Sequence, residues 1–521
     1  MKCFKKVVRA YPRNLMVLLF FALLLLFNGC AGLPENVGRI DSYAVPQDVE
    51  TISSIIQEGD TTACGADCSA FSLLNRGIDA LRWRLALVEA AQRSLDLQYY
   101  IWQDDESGRL LFSKIIEAAD RGVRVRLLFD DTAMLEKEAG AAMINYHPNI
   151  EIRTFNPFSA RSSIWTLIDG AFNLGRLNHR MHNKLLVADN ALAITGGRNI
   201  GNKYFGLDKR MNFRDMDILA LGPVVSELSD VFDEFWKSRW AYLPETFVGE
   251  FTDEAKFNRE RQRLGKEVEE DRGLTHFVEL SPSVWEEMKL RTKDNSIIAR
   301  AKVVRDHSDI SSEAGRQEAM GSISAIAARA SENVLIVSPY FIPTDDGVTG
   351  LSTSVKEGKE VTVLTNSLAS NDVTATNAAY KHYRRPLLEG GIHLYELRGD
   401  AQARSFYRSS DVVPKYLGLH AKVMVFDKRD VYIGSLNLDP RSVLLNTELG
   451  LVINSPELAA QVEQAFLFDL EAENSWKVGL DEDNRVYWQS GEETTYWQPA
   501  RNFWQRLMDW IIPGRLLEGH L

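Results

Sequence analysis

The sequence predicts an α/β protein of two pseudo-symmetric halves, each a mixed β-sheet flanked by helices, with a functional site at their interface. Three observations lead there. A strand, helix, strand order appears twice along the chain. Each copy leads into a hairpin that carries the same polar residues at the same offsets. The composition, 45% apolar and 25% charged over 521 residues, is that of a large globular enzyme and excludes wholesale disorder, collagen-like repeats and a polytopic membrane protein. With 60 basic against 72 acidic residues the net charge is −12, so no overall field favours a polyanion, and nucleic acid is not an expected partner.

Residues 1–14 carry Lys2, Lys5, Lys6, Arg9 and Arg13 with no acid, and residues 15–27 are thirteen uncharged apolar residues. This is the shape of an export signal, too short for an ordinary spanning helix. It meets Asn28-Gly29-Cys30-Ala31-Gly32 and resembles a bacterial lipoprotein signal with Cys30 as the acylated residue, although Phe27 stands where Leu is usual. An uncleaved N-terminal anchor is the alternative, and both place the body outside the cytoplasm. Export permits a disulfide between Cys64 and Cys68, because half of a zinc site would need two further ligands and no His lies within thirty residues.

In the first half, Leu95, Leu97, Tyr99 and Ile101 alternate as a strand, residues 110–119 have helical spacing up to Gly122, and Val123, Val125, Leu127 and Phe129 alternate again. The second half repeats this with a strand over 334–338, a short helix before Gly358 and a strand over 361–365. A longer helical pattern follows in each (133–146; 372–388), then a strand (150–155; 392–397), the hairpin, a further strand (217–221; 449–453) and an amphipathic helix (224–240; 456–472). Residues 251–272 contain 13 charged residues in 22, which reads as a solvated linker or surface helix. The expected organisation is a signal over 1–30, a first half over 73–245, a charged linker or insert over 246–310, a second half over 311–475 and a Trp-rich tail over 476–521.

The chemistry-bearing residues are His182, Lys184, Asp189, Gly196 and Asn199, and then His420, Lys422, Asp427, Gly434 and Asn437, at offsets of +2, +7, +14 and +17 in both sets. Five fixed positions coincide by accident with a frequency on the order of one in a million or less. Residues two apart on a strand share a face, so each His projects with its Lys. Asp189-Asn190 signals a turn that brings Gly196 and Asn199 back beside them, and glycine lets the backbone approach something closely. Two imidazoles, two ammonium groups and two amides make a neutral-to-cationic pocket suited to a phosphodiester, with Lys and Asn on the non-bridging oxygens, one imidazole attacking phosphorus and the other protonating the leaving alcohol. A lone strand histidine is ordinarily a satisfied core residue, but two sets of five are not. A cationic Lys beside each His opposes a divalent metal, and no cluster of ligand spacing appears, so neither metal nor cofactor is expected.

These residues resemble the duplicated HKD motif of the phospholipase D superfamily, with HNKLLVADNALAITGGRN and HAKVMVFDKRDVYIGSLN both matching, and the likeness spans nearly all of 73–472. The strings LDLQYYIWQDD, RGVRVRLLFDD, FNPF, LNHRMHNK and GGRNIGNKYFG are similar to the cardiolipin synthase branch, most of all its C-type bacterial members. The resemblance implies catalysis by His182, Lys184 and Asn199 with His420, Lys422 and Asn437, and implies that Asp215 and Glu448 orient the two histidines. It assigns Asp189 and Asp427 to loop support, His182 to the nucleophile and His420 to the acid. Gly197, where the second copy has Ser435, removes a hydroxyl from one half and makes the halves unequal.

The same likeness implies transfer of a phosphatidyl group to the hydroxyl of phosphatidylglycerol, yielding cardiolipin and free glycerol or ethanolamine. One phosphodiester replaces another, so no nucleotide is needed, in keeping with the lack of a GxxxxGK[ST] loop. Two other readings stay open: a hydrolase of the same fold releasing phosphatidic acid, and a non-catalytic envelope lipid-binding protein. Five of eleven Trp fall in the last 46 residues, where Phe503, Trp504, Leu507, Met508 and Ile511 recur at helical spacing beside Arg506 and Asp509. Such a helix either lies in the headgroup layer or docks on the body. The expected partners are phospholipids and a membrane surface. The expected location is the cell envelope facing the periplasm, lipid-anchored, with Ala31 after the lipid cysteine leaning toward the outer membrane.

Overall fold

The structure is a computed structural model that describes residues 33–36, 38–47, 67–134, 137–159, 174–271, 296–409 and 411–520. The export segment with Cys30, and Cys64, lie outside the described residues. Cys68 is disulfide-bonded.

The first half contributes β1 (Cys68–Leu74), β2 (Ser94–Tyr99), β3 (Arg124–Asp130), β4 (Ile150–Phe155), β5 (Leu185–Ala188), β6 (Leu192–Gly196), β7 (Met211–Arg214), β8 (Asp217–Leu221) and β9 (Ala241–Tyr242). After β10 (Ile297–Arg305), the second half supplies β11 (Asn333–Val337), β12 (Glu360–Asn366), β13 (His393–Leu397), β14 (Tyr416–Leu419), β15 (Val423–Phe426), β16 (Asp430–Gly434), β17 (Leu449–Asn454), β18 (Ser475–Leu480), β19 (Val486–Ser490) and β20 (Glu493–Thr495). In each half three parallel strands (β2-β3-β4; β11-β12-β13) join an antiparallel hairpin and its closing strand (β5-β6-β8; β15-β16-β17). β1 pairs antiparallel with β8, β10 pairs antiparallel with β17, and β1 and β10 pair with each other. The two sheets are thereby one continuous sheet.

Alternation along the hairpin strands explains the layering. Leu185 and Val187 face one core with Val423 and Val425, while Leu186 and Ala188 face a second core and Met424 and Phe426 a third. The shared core holds α3 (Pro223–Lys237) and α7 (Pro456–Leu470), which open on Pro223 and Pro456, residues suited to a first helical turn. The outer face of the first half is covered by α1 (Gly77–Ala90) and α2 (Glu106–Asp120), the latter capped by the Asp105 carboxylate accepting from the Gly108 amide. Each fully buried Leu, Ile, Val or Phe in these cores stabilises by about 1.5–3 kcal/mol.

The charged stretch keeps to the sequence reading, and three further features depart from it. The charged stretch forms α4 (Glu254–Glu270), but its Phe257 is buried and the helix lies against α2. Beneath it opens a cavity of about 330 Å³ walled by Trp102, Phe112, Phe129, Met134, Phe257 and Leu264, which holds none of the candidate site residues. The linker range also ends in β10, whose exposed Arg300 and Lys302 mask a strand fixed by pairing rather than by pattern. In the tail range, β18 joins β13 and carries β19 and β20, so the sheet runs well past residue 475. The short helix expected before Gly358 is α5 (Thr344–Lys356), whereas the helical pattern at 372–388 is broken into α6 (Thr374–Tyr380) and a second short helix, because Pro386 has no amide to donate to the turn before it. Near the C-terminus, α8 (Phe503–Ile511) is capped by Asn502.

Candidate active site

The hairpin turns place the ends of the motif apart. Asp189 and Asn190, and likewise Asp427 and Lys428, take positive φ values of 51–54°, the left-handed pair of a two-residue turn. Asp189 accepts from the amides of Gln92, Arg93 and Ser94, and Asp427 from those of Ser331, Glu332 and Asn333. These carboxylates tie each hairpin to the loop before β2 or β11, away from the imidazoles. The motif glycines serve strand packing: a Cβ on Gly196 would lie 2.5 Å from Asp217 Cα, and one on Gly434 2.6 Å from Gly450 Cα. What approaches closely there is the neighbouring strand.

The residue before each histidine is gripped by a side chain at the end of a parallel strand. Asp130 accepts from the Met181 amide at 2.9 Å, and Asn366 accepts from the Leu419 amide and donates to its carbonyl, both at 2.9 Å. The backbone then crosses to the opposite half. The His182 amide donates to the Thr447 carbonyl at 3.0 Å, and the His420 amide to that of Arg214 at 2.8 Å, where β14 runs parallel to β7. Arg214 is itself fixed by Asp469 at 2.6 Å, from α7 of the second half.

This crossing decides which acid meets which base. His182 Nδ1 lies 2.9 Å from Glu448 of the second half, and His420 Nδ1 lies 2.6 Å from Asp215 of the first. An ionised carboxylate only accepts, so Nδ1 carries the proton and the tautomer is set. Lys184 donates to the His182 carbonyl at 2.5 Å, and Lys422 donates to the His420 carbonyl and lies 2.9 Å from His420 Nδ1. Both imidazoles and both ammonium groups are buried.

Burial, reinforced by the two lysines, holds the His182 imidazole well below its usual range, and burial with Lys422 pushes His420 down to about 4. Burial likewise lowers Lys184 well below its ordinary value and Lys422 to about 8. The two acids diverge. Burial pushes Glu448 up to about 7, whereas for Asp215 burial is outweighed by His420 and Lys422, which hold it well below the usual carboxylate range.

The Gly197 and Ser435 difference is resolved at the acids. Ser435 Oγ donates to Glu448 and accepts from the Leu449 amide at 3.0 Å. At the matching place a Cβ on Gly197 would stand 2.1 Å from Asp215 Oδ1, so only glycine fits. The asparagines line the same region: Asn199 accepts from the Ile101 amide at 3.1 Å and donates to Tyr204 Oη at 3.2 Å, while Asn437 donates to Ser442 Oγ at 3.3 Å. Among the described residues Asn437 Oδ1 is buried without a hydrogen-bond partner.

Several residues that frame the site were not singled out in the sequence. The Tyr100 ring meets His182 edge-on at 5.1 Å, and Tyr204 and Phe213 pack on His420 at 5.2 and 5.0 Å. Asp306, just after β10, accepts the amides of Glu448 and Ala319, each at 2.9 Å, and burial raises it to about 8. The aromatic-rich strings YYIW and NKYF hinted at Tyr100 and Tyr204; no pattern marks Phe213 or Asp306. Among the described residues there is no group of three or more His, Cys, Asp or Glu able to hold a metal ion.

A family model described as cardiolipin synthase, PLD-like domain, matches residues 85–236 and 323–470. The chain is 37% identical over 457 residues to cardiolipin synthase C of Escherichia coli K12, covering 85% of this chain and 93% of that protein. It is 25% identical over 407 residues to cardiolipin synthase 1 of Bacillus anthracis, covering 78% of this chain and 67% of the relative. Among solved structures, phosphatidylserine synthase of Haemophilus influenzae Rd KW20 superposes with a TM-score of 0.55 at 15% identity, covering 87% of this chain and 95% of that one, a likeness of fold.

Proposed function

Since the chain belongs to the PLD-like cardiolipin synthase family, we propose that it is a phosphatidyltransferase that forms cardiolipin from phosphatidylglycerol and a second phospholipid, phosphatidylethanolamine or another phosphatidylglycerol. The observation that carries this reading is the crosswise pairing of each imidazole with the other half's carboxylate through Nδ1. Nε2 of each ring is then the nitrogen left for chemistry.

In this mechanism His182 Nε2 attacks the phosphorus of the donor lipid, forming an N–P bond as the P–O bond to the headgroup alcohol breaks. His420 gives that oxygen a proton, releasing glycerol or ethanolamine. His420 then takes the proton from the hydroxyl of phosphatidylglycerol, whose oxygen forms a new P–O bond as the N–P bond breaks. Lys184, Lys422 and the amides of Asn199 and Asn437 hold the charge on the non-bridging oxygens. The firmly ionised Asp215 supports a transient imidazolium on His420, the charge state an acid needs, while the weaker Glu448 leaves His182 neutral and nucleophilic. The deep burial of both imidazoles supports transfer to a lipid alcohol over hydrolysis by bulk water.

The same reading places the enzyme in the cell envelope, facing the periplasm on a membrane surface, anchored through Cys30 and at the outer membrane in keeping with Ala31. No helix among the described residues is long and apolar enough to cross a membrane. The deciding assay incubates the protein with phosphatidylglycerol, alone and with phosphatidylethanolamine, and reads products by mass spectrometry. Cardiolipin is expected. Phosphatidic acid as the sole product would make the protein a hydrolase, and no turnover would overturn catalysis.

A further inference from the structure

Soluble proteins dock an amphipathic helix by its apolar stripe and leave the polar face in water. α8 does the reverse. Its one buried residue is Asp509, which accepts from Asn377 at 2.6 Å and pairs with Lys381 at 3.1 Å, both on or just after α6. One turn earlier, Gln505 donates to the Leu368 carbonyl at 2.6 Å. The helix is thus seated by a polar edge of residues four apart. Its apolar residues Phe503, Trp504, Met508, Trp510 and Ile511 face outward, with Trp497 before it and Leu516 after it, all 50–82% exposed. Trp504, Met508 and Ile511 lie four and three apart on one helix face, and an exposed apolar face of this kind marks an interaction site.

Charge selects the occupant. Around the exposed aromatics stand the exposed Arg506 and Arg515, whereas the acids of the segment are engaged, Asp509 as above and Glu518 by the Tyr383 hydroxyl. A basic rim around tryptophans on a chain of net charge −12 matches an anionic lipid surface, where indole lies at the headgroup level and arginine reaches phosphate. The seat also adjoins the active site. Arg501 donates to the carbonyls of Ala369 and Asn371, each at 2.7 Å, and covers the Tyr416 ring at 4.9 Å. Those residues follow Asn366, which grips Leu419, and begin β14, which delivers His420.

We propose that α8 and the residues flanking it dock the protein on an anionic phospholipid bilayer and set the site beside the headgroup layer. This deepens the phosphatidyltransferase reading and rests on it for the purpose, though not for the binding itself. The test uses the full chain with Trp504→Ser, Trp510→Ser and Ile511→Ser combined; all three side chains are exposed, so the fold does not depend on them. Vesicles of phosphatidylcholine and phosphatidylglycerol in about a 7:3 ratio carry brominated acyl chains that quench inserted indole. The expected result is quenching in the parent that the variant largely loses. Turnover of vesicle-borne phosphatidylglycerol should also fall about tenfold or more, while turnover of a monomeric short-chain phosphatidylglycerol is unchanged. Equal quenching in both proteins, or an equal fall on both substrates, overturns the proposal. So does a parent that elutes as a dimer without quenching while the variant elutes as a monomer, because a second copy then covers the face. Quenching without turnover of either substrate upholds docking and removes the catalytic reading instead.

Discussion

One imidazole of the site leans on an aspartate beside a glycine, the other on a glutamate beside a serine. The strands, turns and gripping residues around them are otherwise matched, so the pair is an internal control on what the acid does. Where Asp215 fills the space a Cβ would need, the carboxylate stays firmly ionised. Where Glu448 reaches from a longer side chain and accepts a hydrogen bond from the Ser435 hydroxyl, burial raises it to about 7. The same scaffold thus sets one imidazole against a firmly charged acid, which favours its protonated form, and the other against a weaker acid, while burial holds both rings below their usual range.

The largest expected effect breaks the pair outright. His182→Ala and His420→Ala should each lower turnover by about 10⁴-fold or more, but they should separate in a trapping experiment with labelled donor lipid. His420→Ala accumulates labelled protein and His182→Ala does not; the opposite pattern would exchange the two roles. Next, Gly197→Ser forces a side chain to within bonding distance of Asp215 and should cost about 10²-fold or more in kcat, whereas Ser435→Gly, which removes one hydrogen bond, should cost about tenfold. Equal losses would show that the two acids are not held differently.

pH sharpens the comparison. With Glu448 near 7 and Lys422 near 8, activity should fall below pH 7 as Glu448 gains a proton and loses its hold on His182 Nδ1–H, and fall above pH 8 as Lys422 loses its charge. Lys422→Arg should abolish the alkaline limb and keep the acidic one. For stability the sign reverses. A carboxyl whose folded value lies above its ordinary 4.5 contributes in full below that value and loses the contribution as pH rises through about 7. The melting-temperature advantage of the parent over Glu448→Gln should therefore shrink between pH 5 and pH 8, about one unit and more either side of the transition. The smallest effect is at the turns: Asp189→Asn or Asp427→Asn should each cost about 1–3 kcal/mol in denaturant unfolding, from the backbone amides they leave short of an acceptor, with kcat within about threefold of the parent.

Much of the site was legible because chemistry at a β-hairpin is local. His182, Lys184, Asp189 and Asn199 share one hairpin, and a matching second copy exposes the pattern. The acids Asp215 and Glu448 were named through the resemblance, but their crosswise pairing was not legible, since alternation reports which face Asp215 occupies and not which half that face meets. The parallel pairing of β14 with β7 decides it, and neither strand has a pattern of its own. β1 and β10 escaped for the same reason: each is held by a strand from elsewhere, and β10 carries Arg300 and Lys302 on its outer side. In the tail, spacing revealed the helix but not its orientation, which depends on Asn377 and Lys381 receiving Asp509 from more than a hundred residues away.

The exchange of carboxylates across the β1 and β10 seam couples reactivity to the finished fold. A growing chain that has completed only residues up to Leu221 owns His182 and Asp215 but neither Glu448 nor His420, so its lone imidazole has no fixed tautomer and no proton donor opposite it. Severing the polypeptide between the halves would leave two inert pieces, each holding the part its counterpart lacks. Catalytic competence in this architecture arrives all at once, as the last strands close, and a newly made chain is harmless to the lipids around it until then.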